Sequence, residues 1–139
     1  MLASVSKYRE VFLNVLRIVA GFLWLEHGVQ KLFAVLVTQP RSPAEFLTQF
    51  WFAGVIEFFG GTLIMLGLFT RPVAFIAAGE MAWAYFQAHF PRGFWPILNG
   101  GESPVLYCFT WLYMFASGGG SFSLDGWIAR MRKGESRPA

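Results

Sequence analysis

Charge is what this sequence lacks. Its 11 Lys and Arg and 8 Asp and Glu make up 14% of 139 residues, where soluble domains average about a quarter. So few charges on so short a chain cannot clothe a soluble core, which excludes an ordinary soluble enzyme. Cysteine is nearly absent as well. Cys108 stands alone, so neither an internal disulfide nor a dithiol cycle within one chain is available. No Cys/His spacing matches a zinc site, and no metal is expected. Haem, flavin and iron–sulfur signatures are missing too. There is no fixed-period repeat, no low-complexity segment and no length for a second soluble domain, so residues 1–139 read as one domain.

What is present is apolar. Hydrophobic residues make up 55% of the chain and aromatics 19%, including 16 Phe and 6 Trp, and the mean hydropathy is +0.48. Surplus apolar surface of this kind calls for lipid, and Trp collects at membrane–water interfaces. The net charge of +3 does not point to nucleic acid, because the basic residues flank apolar segments.

Four apolar stretches, about 11–37, 46–69, 73–90 and 104–117, approach the length needed to cross ~30 Å of hydrocarbon; the fourth is the shortest. Ser42-Pro43-Ala44-Glu45 reads as a capping box with proline at the first helical position, so the second helix is expected to begin near Pro43. Gly67 and Pro72 bracket a tight connection. Ser103-Pro104 repeats the cap-plus-proline signal, and Gly118-Gly119-Gly120 ends the fourth helix. Over about 123–133, Leu124, Trp127, Ile128 and Met131 share a face beside Arg130, Arg132 and Lys133, as in a helix lying in the membrane interface. Residues from Gly134 onward read as a disordered tail. The fold class is therefore all-α: an integral membrane four-helix bundle with a short C-terminal interfacial amphipathic helix.

Lys7, Arg9, Arg71, Arg130, Arg132, Lys133 and Arg137 fall on one side of such a bundle. Arg41 and Arg92 fall on the other, with Lys31 near its boundary. The positive-inside rule then places both termini in the cytoplasm of a multi-pass protein of the bacterial inner membrane. No cleavable signal peptide is expected, because Lys7, Arg9 and Arg17 precede or interrupt the first apolar stretch.

A set of short motifs occurs in order: Arg17-x3-Gly21, His27-Gly28-x2-Lys31, Glu57-x2-Gly60-Gly61, Gly67-Leu68-Phe69-Thr70-Arg71, Asn99-Gly100-Gly101-Glu102 and Gly118-Gly119-Gly120-Ser121-Phe122-Ser123-Leu124-Asp125. From about Arg17 to Asp125 this string resembles the DoxX family of small bacterial membrane proteins. The resemblance implies a four-helix membrane bundle. The family takes its name from a subunit of a thiosulfate:quinone oxidoreductase, and its members are associated with membrane-bound sulfur and oxidative-stress systems.

Ionisable groups at membrane depth are costly and turn to a bundle interior or a cavity. Counted at 1.5 Å per residue from the expected helix ends, Arg17 and Glu80 lie ~12 Å in and Glu57 ~18 Å in, while Glu26, His27 and His89 lie ~25 Å in. Arg17 with Glu80 therefore reads as a structural ion pair, with Glu57 as an alternative partner. Glu57 should face the interior and meet Arg17 or Lys31. Glu80, Trp83 and Gln87 form one stripe; Gly54, Glu57 and Gly61 form another. The outer polar layer of Glu26, His27, Lys31, Gln87 and His89, with Glu57 at its floor, is the candidate ligand pocket. For His27 and Lys31 a ligand role and simple interfacial anchoring both stand; for His89 anchoring is preferred. Cys108 and the aromatics from Trp83 to Phe90 read as packing, and residues 91–96 as an interfacial cap or a lid.

Three functions follow. The first is a membrane subunit of a sulfur- or quinone-linked redox system, holding a quinone as its bound molecule and working with a soluble redox partner. The second is a non-enzymatic small-molecule transporter. The third is a scaffold for soluble partners. A homodimer is compatible with so thin a bundle, and no catalytic residue is assigned.

Overall fold

The computed structural model describes residues 8–135. Lys7, Arg137 and the part of the expected tail beyond residue 135 lie outside them, while Gly134 and Glu135, expected in that tail, belong to the last helix. Among the described residues the chain is all-α, with no strand. α1 spans Arg9–Phe33, α2 Gln49–Leu66 and α3 Thr70–Ala84. After a π turn at Tyr85–His89 and a 3-10 turn at Phe90–Arg92 come α4 (Pro96–Asn99), α5 (Glu102–Ser117) and α6 (Leu124–Glu135).

α1 buries Leu13, Asn14, Arg17, Ala20, Gly21, Trp24 and Gly28, a stripe at helical spacing. It stops earlier than position 37 because Ala34 turns left-handed at φ 53°. The following turn is caught by Gln30, whose Nε2 donates to the Leu36 carbonyl at 2.6 Å.

α2 begins at Gln49, not near Pro43. Leu47 has a positive φ of 62°, which ends any helix upstream, and Thr48 is the cap that forms, its hydroxyl accepting from the Trp51 N–H at 3.2 Å. Gly67 closes α2 in the left-handed conformation at φ 67°, with the Leu68 N–H donating to the Leu63 carbonyl at 3.0 Å. This is the glycine-dependent helix end anticipated from composition.

α3 starts at Thr70, so Pro72 sits inside its first turn, where the missing N–H is harmless. The helix passes directly into the π turn, so helical backbone runs unbroken over 70–92. α5 begins at Glu102 after Gly101, leaving Ser103 and Pro104 within the first turn rather than outside it. Ser123 caps α6 by accepting from the Gly126 N–H at 3.0 Å.

Two close pairs build the core, α1 on α2 and α3 on α5. Glycines set the first pair. A Cβ at Gly28 would overlap the backbone of Phe58, and one at Gly61 would lie 2.8 Å from the Gly21 carbonyl oxygen. Gly21 and Gly28, like Gly54 and Gly61, are seven apart, so small residues recur on one face of each helix and the backbones touch. In the second pair Ala74, Ala77 and Ala78 of α3 are buried near Trp111 and Met114 of α5. Trp24 of α1 joins them, its ring 5.1 Å from that of Trp111.

The outward surface is apolar. Phe12, Val19, Phe59, Phe75, Leu106 and Phe109 are all exposed. α1 and α2, at 25 and 18 residues, are long and apolar enough to cross a membrane.

Candidate functional site

A cavity of about 760 Å³ lies between α2 and α3, beneath the π turn. Its walls are apolar: Phe50, Phe52 and Ile56 from α2, Ile76 and Trp83 from α3. The polar groups converge on it from three elements: Lys31 at the end of α1, Glu57 of α2 and Glu80 of α3, with Gln87 and His89 above.

Lys31 and Glu57 form the ion pair at its floor. The Lys31 Nζ lies 2.5 Å from both carboxylate oxygens of Glu57, whose side chain is 3% exposed. The glycine packing makes this contact possible. A Cβ at Gly54 would lie 3.0 Å from the Lys31 Cβ, so the absent side chain lets the lysine stem lie along α2 and reach Glu57, one turn further on. The Phe50 ring covers the ammonium at 5.3 Å, a cation–π contact.

Glu80 belongs to this cavity. It is within electrostatic range of Glu57 and Lys31, and its Oε2 is buried with no hydrogen-bond partner among the described residues. The expected pairing of Glu80 with Arg17 is not formed. α3 starts three residues earlier than position 73, which lifts Glu80 by about 4.5 Å toward the level of Glu57.

Arg17 lies instead at the end of α2. Its guanidinium, 1% exposed, donates to the Ile64 carbonyl at 2.7 Å and to that of Met65. It also donates to the Gly119 carbonyl at 2.9 Å, the Phe122 carbonyl at 3.2 Å and Asn14 Oδ1 at 3.2 Å. A cation at the carbonyl end of a helix is favourable, and a fork of donors suits several acceptors at once. Asp125 completes the same cluster. Its carboxylate accepts from the N–H groups of Phe69 and Thr70 at 2.9 and 2.8 Å, capping α3 from a distant part of the chain. The Gly67–Arg71 and Gly118–Asp125 motifs thus hold one end of the bundle together.

The other end is closed by Asn99. Its Nδ2 donates to the Gly93 carbonyl at 2.7 Å, and its Oδ1 accepts from the Gly101 N–H at 2.8 Å. The Tyr85 hydroxyl donates to the Phe94 carbonyl at 2.6 Å. His89 Nδ1 lies 3.1 Å from the Asn99 carbonyl oxygen, so this histidine ties the loop down while its ring edges the cavity. Gln87 meets Gln49 at the mouth. Gln87 Nε2 donates to Gln49 Oε1 at 3.0 Å, and Gln49 Nε2 donates back to Gln87 Oε1. A π turn is a common way of re-aiming side chains at a site, and here it points Gln87 and His89 at the cavity.

Glu26 and His27 are not in it. His27 is exposed on the α5 side of α1, its ring edge-on to Tyr107 at 6.3 Å. Glu26 is near both of those groups. The candidate pocket of the sequence thus divides: Lys31, Glu57, Gln87 and His89 come together, whereas Glu26 and His27 form a separate polar cluster with Tyr107. Sequence reasoning left Gln49 and Glu80 out of the pocket. The stripe of Glu80, Trp83 and Gln87 was a usable signal for Glu80; nothing marked Gln49.

A family model described as DoxX matches residues 12–90, a span that contains every ionisable residue of the cavity. An uncharacterized protein of Haemophilus influenzae is 43% identical over 127 residues, covering 88% of this chain and 94% of that protein. No solved structure gives a significant match.

Proposed function

Because the chain belongs to the DoxX family and is a small membrane protein, we propose that it is a multi-pass four-helix bundle of the bacterial plasma membrane that receives a small amphipathic molecule in the α2–α3 cavity. In this reading α1, α2, α3 with its π extension, and α5 cross the bilayer. α4 and α6 lie at opposite interfaces, and both termini are cytoplasmic. The observation that carries the reading is the cavity itself: apolar walls with Lys31, Glu57 and Glu80 gathered at the polar floor. Ligand sites have this build, mostly apolar with a few placed polar groups, and this volume is within the usual range of ~300–1,000 Å³.

The protein then serves as the membrane subunit of a quinone-linked redox system. Quinone reduction takes up two electrons and two protons. A soluble partner that oxidises a reduced sulfur compound supplies the electrons, and the floor carboxylates line the route for the protons. The exposed Arg130 and Arg132 of α6 offer that partner a docking face.

Native mass spectrometry of gently purified protein tests the reading. Wild type is expected to carry a molecule of quinone mass, and Gly79→Leu is expected to lose it. Gly79 edges the cavity, and a Cβ there meets nothing within 4 Å, so the larger side chain fills ligand space without striking the backbone. Wild type and variant carrying only phospholipid would defeat the quinone assignment.

A further inference from the structure

The cavity floor holds two carboxyl groups, Glu57 and Glu80, and one amine, Lys31. Lys31 is held by both oxygens of Glu57 at 2.5 Å and covered by Phe50, so that pair is neutral and closed. Glu80 brings a second carboxyl to the same space, with a buried Oε2 that has no hydrogen-bond partner among the described residues. His89, the other titratable group facing in, is engaged at Nδ1 by the Asn99 carbonyl. A buried carboxylate without a counter-charge is expensive. A positive charge brought beside Glu80 would offset that cost and let the carboxylate form.

The walls say what form that charge takes. Trp83 stands one helical turn from Glu80 and is 61% exposed, lining the cavity with Phe50 and Phe52. Aromatic faces attract cations, tryptophan most of all. Ile56 and Ile76 complete an apolar wall that a small hydrated ion could not wet. An anion fits badly, since it would face two carboxylates while the lysine is already engaged.

We propose that the cavity binds a lipophilic organic cation, a bulky amine or onium compound, with Glu80 as its counter-ion and Trp83 as its aromatic wall. This rests on the cavity being a ligand site, as above, and adds a cationic class of ligand that the same apolar walls can receive.

Tetraphenylphosphonium is a suitable probe, measured by equilibrium dialysis against the detergent-solubilised full chain, with decylubiquinone as a neutral probe in parallel. Wild type is expected to bind one phosphonium per chain. Glu80→Gln, which keeps the shape and removes the charge, is expected to weaken binding by about tenfold or more. Gly79→Leu is expected to abolish it with Glu80 intact, which keeps the test decisive even if Glu80→Gln folds poorly. Binding unchanged in both variants would overturn the proposal. Binding of decylubiquinone without the phosphonium would overturn it too, while leaving the quinone reading standing. Binding of neither probe would remove both.

Discussion

Lys31 and Glu57 depend on each other more than on their surroundings. Removing one partner of a buried ion pair leaves the other charge uncompensated, at a cost of about 3–5 kcal/mol, whereas replacing both with apolar groups is often neutral. Lys31→Met is therefore expected to destabilise the protein by about 3–5 kcal/mol, and Lys31→Met with Glu57→Leu is expected to recover most of that loss. Reversible unfolding in mixed detergent, followed by circular dichroism, measures both. Equal loss in the single and double variants would show that the pair has no coupling of its own. Arg17 makes a different demand. Its fork of donors serves the Ile64, Met65, Gly119 and Phe122 carbonyls, so Arg17→Lys keeps the charge and loses the geometry. We expect it to cost about 2 kcal/mol or more. A midpoint unchanged from wild type would mean that charge alone suffices there.

At the scale of helices, the α1–α2 contact depends on the absence of side chains. Gly28→Ala forces a Cβ against the Phe58 backbone and is expected to cost about 1–3 kcal/mol. Gly134→Ala, where a Cβ meets nothing among the described residues, is the control and should match wild type; similar losses in both would deny the close approach. Asp125→Ala removes the cap of α3 and is expected to cost about 1 kcal/mol. Much of this was legible beforehand. Gly54, Glu57 and Gly61 are read from the sequence as one stripe, and Gly67 as a helix end. Other features left no local trace. Ser42-Pro43 carries a better cap signature than Thr48, yet the left-handed Leu47 decides where α2 starts. The π turn at Tyr85–His89 has no compositional mark, because its residues would serve an α-helix equally well. Depth counting put Arg17 and Glu80 level, but it gave neither the true start of α3 nor which neighbour each helix face would meet.

For the molecule as a whole, orientation is the open proposal, and the uneven split of basic residues motivates it. With Cys108 replaced by Ala, single cysteines at Ser4 and Ser136 are expected to resist an impermeant thiol reagent in intact cells, and one at Ser42 is expected to react. Labelling of both terminal positions from outside would invert the arrangement.

The cluster around Arg17 also has a consequence for biogenesis. The arginine enters the membrane with the first helix, but the Gly119 and Phe122 carbonyls that engage it lie more than 100 positions later. Synthesis at about 5–20 residues per second leaves α1 waiting for seconds with a cation only partly matched. The chain between insertion and completion is thus a distinct species, marked by an incompletely matched arginine, and membrane quality-control proteases could tell it from the finished fold. Released chains truncated before Gly119 should be degraded faster than chains truncated after Gly126, although both contain all four apolar segments.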